Sequence, residues 1–412
     1  MNHRRTLSLL SLTAVGALAL SACGGSGFND SSSAKSDGQV SVLIGSSGDA
    51  ETQAVTDAVA AWSKSSGVKA KVTVASDLAQ QLSQGFASNN PPDVFYVSTD
   101  NLAGYAANGS LYAYGDQLSN KDQFFPNLVD AFTVGDTFYC APKDFSTLAL
   151  VINTKLWKQA GLTDADIPTT WDQLDAVAKK LTNGKVVGLT FSPEYARVGA
   201  FFPQAGGSMT NEAGTQATVD SPPNLQALEY VQKLLKEGVA KYSSDLGTGW
   251  GGEAFGKQLA AMTIEGNWIA GAMTNDYPDV DYTVAELPKG PAGPGTLAFT
   301  NCWGVAQDSG DKADAVKLVE SLTSEDQQLK FAKAFGVIPS LESAASKYAA
   351  EEPQLAPFIK GADYAQNPPS EQGAADVISD FNAQLETLKS SDPKQILSTV
   401  QDELQAALDS DQ

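Results

Sequence analysis

Short apolar runs and amphipathic stretches alternate along the chain. "QVSVLIG" (residues 39–45) is an apolar run stopped by Gly45, which predicts a strand. In the stretch that follows, Val55, Val59 and Trp62 fall at i, i+4 and i+7, which predicts an amphipathic helix. Val68, Ala70, Val72 and Val74 alternate, as a strand would, and Leu78, Leu82 and Phe86 recur every four residues, as a helix would. "DVFYV" (93–97) reads as a third strand and residues 101–108 as a third helix. Three strand-helix pairs in a row point to a parallel sheet covered by helices.

The pattern continues with longer apolar segments. "STLALVIN" (146–153) reads as a strand buried on both faces, followed by a helix "TKLWKQAG" that Gly161 stops. Thr170 is placed to cap a helix carrying Leu174, Val177, Ala178 and Leu181. "VVGLTF" predicts a strand, and residues 224–237 predict a helix ending at Gly238. After Trp303, residues 311–336 hold two helices in succession, and residues 372–409 are mostly helical. Trp62, Trp157 and Trp171 lie on apolar helical faces or helix starts and read as core. The chain shows no internal repeat and no GxxxxGK[ST] loop, so it does not read as an ATPase.

The N-terminus changes where this chain is expected to act. Arg4 and Arg5 precede an uncharged stretch from residue 7 to residue 20, the pattern of a secretory signal peptide spanning residues 1–22. That stretch is too short to span a bilayer, which takes ~20 residues. The closing Leu20-Ser21-Ala22-Cys23 resembles a bacterial lipobox, in which the cysteine is lipidated and becomes the first residue of the processed chain. Several acyl chains on one residue meet the requirement for stable anchoring. The following "GGSGFNDSSSAKSDG" is Gly/Ser/Asp-rich, and residues 23–38 read as a lipid-anchored flexible tether with a reach of roughly 20 Å. The expected location is the outer face of the bacterial cell membrane.

Composition narrows the chemistry. The chain has 412 residues and a net charge of −21, an acidity that disfavours nucleic acid as a partner. Its length favours two domains over one compact core. His3 is the one histidine, and it lies in the signal peptide. The processed chain therefore lacks an imidazole for Ser-His-Asp or Cys-His catalysis and for His-ligated zinc. No metal or cofactor is expected. Catalysis by a carboxylate pair, as in glycoside hydrolysis, survives this filter. Cys140 and Cys302 remain, either oxidised to each other outside the cytoplasm or present as two separate buried thiols.

Several segments together carry a resemblance. The tether, "VLIGSSGDAETQAV", "PPDVFYVSTDNLAGYAANGSL", "PKDFSTLALVINTKLWKQAGL", "PTTWDQL" and "AAMTIEGNWIAGAM" occur in an order that resembles the carbohydrate-binding group of extracellular solute-binding proteins of ABC importers, the relatives of maltose-binding protein. The resemblance covers about residues 39–408. It implies an α/β, two-lobed, periplasmic-binding-protein-like fold, each lobe a helix-flanked sheet, with the ligand cleft at the hinge. It implies lobe one over 39–146 and 300–345, and lobe two over 147–299 and 346–412. "FSTLALVIN" and the stretch before "NCWGVAQ" would be crossover strands. Cys140 and Cys302 would both lie near the hinge, where a disulfide and two free thiols remain open alternatives.

A sugar offers hydroxyl rims and apolar faces, so its site needs carboxylates, amides and flat rings. Asp49 and Glu51 follow a strand at a helix start and are candidates, against capping and dipole roles there. Asp100 sits at the C-terminal end of a strand, where open α/β sheets bind ligands, or it caps the next helix. Lys143 and Asp144, in a loop entering the crossover strand, either bind or form a surface ion pair. Glu194, Tyr195 and Arg197 reach inward or lie on a solvated loop. Trp250, set among glycines, reads as a stacking platform, as does Trp268 beside Glu265 and Asn267. Asn301 and Trp303 either line the cleft or pack at the hinge, and "FGVIP" (335–339) has the same two options.

The expected function is capture of an oligosaccharide, an α-glucoside such as maltose or a malto-oligosaccharide, without catalysis. Delivery is to the permease subunits of an ABC importer by a monomer anchored through Cys23. The rivals are a surface glycoside hydrolase with paired carboxylates and a solute-binding protein for a non-sugar ligand such as a polyamine.

Overall fold

A computed structural model describes residues 38–46 and 48–410. The predicted signal peptide, most of the tether and Cys23 lie outside the described residues. Among the described residues no helix is long and apolar enough to cross a membrane.

The strands are β1 (Gln39–Ile44), β2 (Lys69–Val74), β3 (Val94–Ser98), β4 (Thr133–Val134), β5 (Thr137–Phe138), β6 (Ala141–Asn153), β7 (Val187–Phe191), β8 (Ala240–Tyr242), β9 (Ala260–Gly266), β10 (Tyr282–Ala285), β11 (Thr296–Val305) and β12 (Ala365–Gln366). The principal sheet path runs β2-β1-β3-β11-β6-β9-β7-β8, with β10 on β6 and β12 on β11. β1 pairs in parallel with β2 and β3, as the three strand-helix repeats predict. β7 pairs in parallel with β8 and β9. Between these parallel groups stand β6 and β11, antiparallel to each other and to their outer neighbours β9 and β3.

Each parallel group has its own core, and we call each group with its core a lobe. In the first, the helix Asp49–Ser66 buries Val55, Val59 and Trp62 against Val40, Val42 and Phe95 of β1 and β3. In the second, the helix Trp171–Leu181, capped by the Thr170 side chain, packs with the helix Pro222–Glu237 and Leu189 of β7. Trp157 and Trp171 are buried in that core, as their helical positions predict. β6 serves two clusters at once. Leu148, Leu150 and Ile152 face the second core, while Phe145, Ala149 and Val151 face a third cluster that includes Ile269 and Phe358. Alternate side chains on opposite faces explain why this segment reads as continuously apolar.

The start of β6 departs from the sequence reading. β6 begins at Ala141, so Lys143 and Asp144 lie on a strand and not in a loop. Asn301 pairs with Asp144 and Cys302 with Pro142, leaving Lys143 as the extra residue of a bulge. Immediately before β6, Cys140 is disulfide bonded to Cys302, with Cα atoms 5.7 Å apart. The bridge fastens β11 to the chain entering β6 beside the bulge.

Candidate functional site

A cavity of about 450 Å³ opens where β6 and β11 leave the first lobe. Its first-lobe wall comes from the carboxyl ends of β1 and β3: Gly45, Ser98 and Thr99 line it, with Glu51 reaching in from the following helix. This is the end at which open α/β sheets hold ligands, because helix N-termini and loops converge there.

The floor is a charge cluster. Neighbouring residues of a regular strand point to opposite faces, but the bulge turns Lys143 and Asp144 to the same side. Lys143 Nζ donates to Asp144 Oδ2 and, at 3.1 Å, to Glu51 Oε1. Tyr96 Oη donates to the same Glu51 oxygen at 2.9 Å. The ammonium lies 4.6 Å from the Tyr96 ring centroid and 5.4 Å from that of Phe335. Burial works to lower the Lys143 pKa, but the Asp144 and Glu51 carboxylates outweigh it and hold it above its ordinary value. Burial pushes the Asp144 carboxyl up, with Lys143 opposing. Burial, then the Glu51 and Asp144 charges, pushes the Tyr96 hydroxyl well up. All three are enclosed, so the cluster presents carboxylate lone pairs and no free cation to a ligand.

The facing wall comes from the second lobe. Trp268 is 36% exposed, lines the cavity, and meets the Phe299 ring edge-on at 6.0 Å. Asn267 lines the cavity beside it and donates through Nδ2 to the Gly336 carbonyl at 2.7 Å. Gly336 ends the helix Glu325–Phe335 with φ +78°, a conformation that suits glycine and exposes that carbonyl. Asn301, Thr300 and Ser146 complete a polar rim.

Of the candidates read from the sequence, Glu51, Lys143, Asp144, Trp268 and Asn301 are brought together here. The others lie elsewhere, each for a physical reason. Asp49 is exposed: it sits two residues before Glu51 on one helix, about 200° around the axis. Asp100 is exposed on the first turn of the helix Thr99–Ala107, while Ser98 and Thr99 face the cavity in its place. Glu194 begins the short helix Tyr195–Val198 and pairs with Arg197 at 3.3 Å. Tyr195 is core, its ring against Phe202 and Phe381. Trp250 packs against the third cluster, its ring so close over Gly252 that a Cβ there would come within 2.1 Å. Glu265 is fully buried behind Trp268. Trp303 is fully buried, edge-on to Tyr96 at 4.9 Å, supporting the floor from below.

The sequence reading missed Tyr96, Ser146, Ala298, Phe299, Thr300 and Pro368 among the lining residues. Tyr96 sits inside an apolar strand run, and only the acids gathered around its hydroxyl mark it as polar floor. "FGVIP" contributes Phe335, Gly336 and Val337 to the lining.

Comparison with known proteins agrees with this architecture. The profile of the family described as bacterial extracellular solute-binding protein matches residues 57–357. The chain is 25% identical over 346 residues to the diacetylchitobiose binding protein DasA of Streptomyces coelicolor, covering 80% of each chain. It is 23% identical over 415 aligned positions to a galactooligosaccharide-binding protein of Bacillus subtilis, covering 96% of each. The solved structure of the sugar-binding protein MalE from Xanthomonas citri superposes with a TM-score of 0.81 at 18% identity, covering 90% of this chain and 98% of that one.

Proposed function

Since the chain belongs to the bacterial extracellular solute-binding protein family, we propose that it captures a neutral oligosaccharide in this cavity and delivers it to an ABC importer. The observation that carries the reading is the pairing of half-exposed Trp268 with a facing rim of carboxylate, hydroxyl and amide groups. An indole face takes the apolar side of a pyranose, and the rim takes its hydroxyls. Relatives named for diacetylchitobiose and for galactooligosaccharides support the sugar class. Within it, α-linked glucosides such as maltose and malto-oligosaccharides are the first ligands we propose. Closure of the two lobes about β6 and β11 would enclose the sugar and form the surface the permease reads. Lipidation of Cys23 would hold the monomer at the membrane.

Binding without turnover fits the electrostatics of the floor. A glycosidase sets one carboxyl as acid and a second as base or nucleophile. Here Glu51 and Asp144 both hold the same Lys143 ammonium.

The test is a thermal-shift and calorimetric screen over neutral oligosaccharides, uronic-acid oligosaccharides and polyamines, with reducing ends assayed in parallel. A ligand that binds only the folded state raises its melting temperature by mass action. Saturable binding of one neutral glycan without release of reducing ends is expected. Turnover, or a response to polyamine alone, would overturn the proposal.

A further inference from the structure

Behind Trp268 lies a buried charge pair that does not line the cavity. Glu265 is the next-to-last residue of β9 and is 0% exposed. Its Oε2 accepts from Trp268 Nε1 at 3.0 Å and from Arg197 Nη2 at 2.8 Å. Arg197 in turn sits over the indole, its Cζ 5.2 Å from the ring centroid. Oε1 has no hydrogen-bond partner among the described residues. It packs against Gly251, where an added Cβ would come within 2.7 Å of it. One carboxylate thus joins β9, the helix Tyr195–Val198, the start of the helix Gly251–Gly256 and the cavity-facing tryptophan.

This arrangement is not what stability alone would select. Burial pushes the Glu265 carboxyl up, and the opposing attraction of Arg197 and the indole N–H does not cancel it. A well-packed apolar pair in place of both Glu265 and Arg197 would suit the fold at least as well. The carboxylate does supply direction. A charge-assisted acceptor fixes the in-plane orientation of the indole, and Arg197, held by the same oxygen, adds cation–π attraction to the ring.

We infer that Glu265 is a positioning residue: through Oε2 it sets the orientation of Trp268, and of Arg197 over it, so that the indole is preorganised for ligand before any ligand arrives. The inference rests on the proposed role of the cavity in sugar binding, but its first readout needs no sugar. Preorganisation raises affinity by removing the cost of ordering a side chain on binding.

The test uses the indole N–H resonances of the ligand-free protein, with the Trp268 signal identified by its loss in Trp268→Phe. Glu265→Gln keeps the shape and weakens both charge-assisted bonds. Gly251→Ala pushes from the far side on the carboxylate and on the neighbouring Thr263 hydroxyl, away from the cavity lining. Both are expected to move the Trp268 signal from its wild-type position. Glu265→Gln is also expected to raise the Kd for the tightest glycan of the screen about tenfold, a loss of one charge-assisted bond's worth of organisation, while the protein still melts cooperatively. An unmoved Trp268 signal in Glu265→Gln overturns the inference, as does a moved signal with unchanged affinity. If the wild type binds no glycan at all, the proposed function fails, and the ligand-free signal still decides whether Glu265 positions the indole.

Discussion

Replacing Lys143 by methionine removes one cation from between two buried carboxylates. In the wild type its Nζ is held by Glu51 and Asp144, with the lysine and Glu51 side chains each 5% exposed and Asp144 10%. Deleting one partner of a buried ion pair costs about 3–5 kcal/mol, because the remaining charge is stranded in a poorly solvated site. Here two carboxylates are left together, so a loss at the upper end of that range is expected near pH 7. At roughly 2–4 °C per kcal/mol for domains of 150–250 residues, the melting temperature falls on the order of 10 °C.

The pH response has a definite sign. The wild-type ammonium is held above its ordinary value. The stability it contributes is therefore present across the neutral range and is lost only as pH climbs through that raised value, beyond about 10.4. In Lys143→Met the two acids disfavour each other's ionisation, so one takes up a proton on acidification and the deficit shrinks between pH 7 and pH 5. Differential scanning calorimetry at the two pH values measures both effects. A deficit below about 1 kcal/mol at pH 7, the size expected of an exposed ion pair, would refute the buried network.

Other perturbations address the remaining parts. Trp268→Ala should weaken glycan binding about tenfold to a hundredfold, read by calorimetric titration, since the side chain is the exposed anchor of the cavity. Non-reducing peptide mapping should recover Cys140 and Cys302 in one linked pair; two alkylated thiols would contradict the bridge. The bridge spans 162 positions, so loop-closure entropy sets an upper stabilisation of about 5 kcal/mol, and the Cys140→Ala/Cys302→Ala variant should unfold earlier in urea. Cys23→Ser should move the protein from the membrane fraction to the soluble fraction, as judged by cell fractionation.

Much of the architecture is legible in the chain, because β1, β2 and β3 alternate with helices whose apolar residues recur at helical spacing. The start of β6 is not legible. Pro142, Lys143 and Asp144 read as a loop, and only the pairing with β11 reveals a bulge that turns two charges the same way. The tryptophans show the same limit. Glycines beside Trp250 suggest an exposed ring, yet Gly252 leaves room for that ring to pack down. Gly266 makes the same room beneath Trp268, whose ring nevertheless lines the cavity. A neighbouring glycine shows that a ring has space, and tertiary packing decides whether solvent reaches it. Glu265 reads as a cleft residue beside Trp268, yet it lies within β9 and is buried in a pair with Arg197, 68 residues away, which the local pattern does not reveal.

The most direct measurement is isothermal titration of the purified protein with the neutral oligosaccharide that gives the largest thermal shift, run beside Trp268→Ala. Saturable one-to-one binding in the wild type, lost or greatly weakened in the variant, is the predicted result. Equal affinity in the two proteins, or no heat with any neutral glycan, would contradict the claim that this cavity is the sugar site.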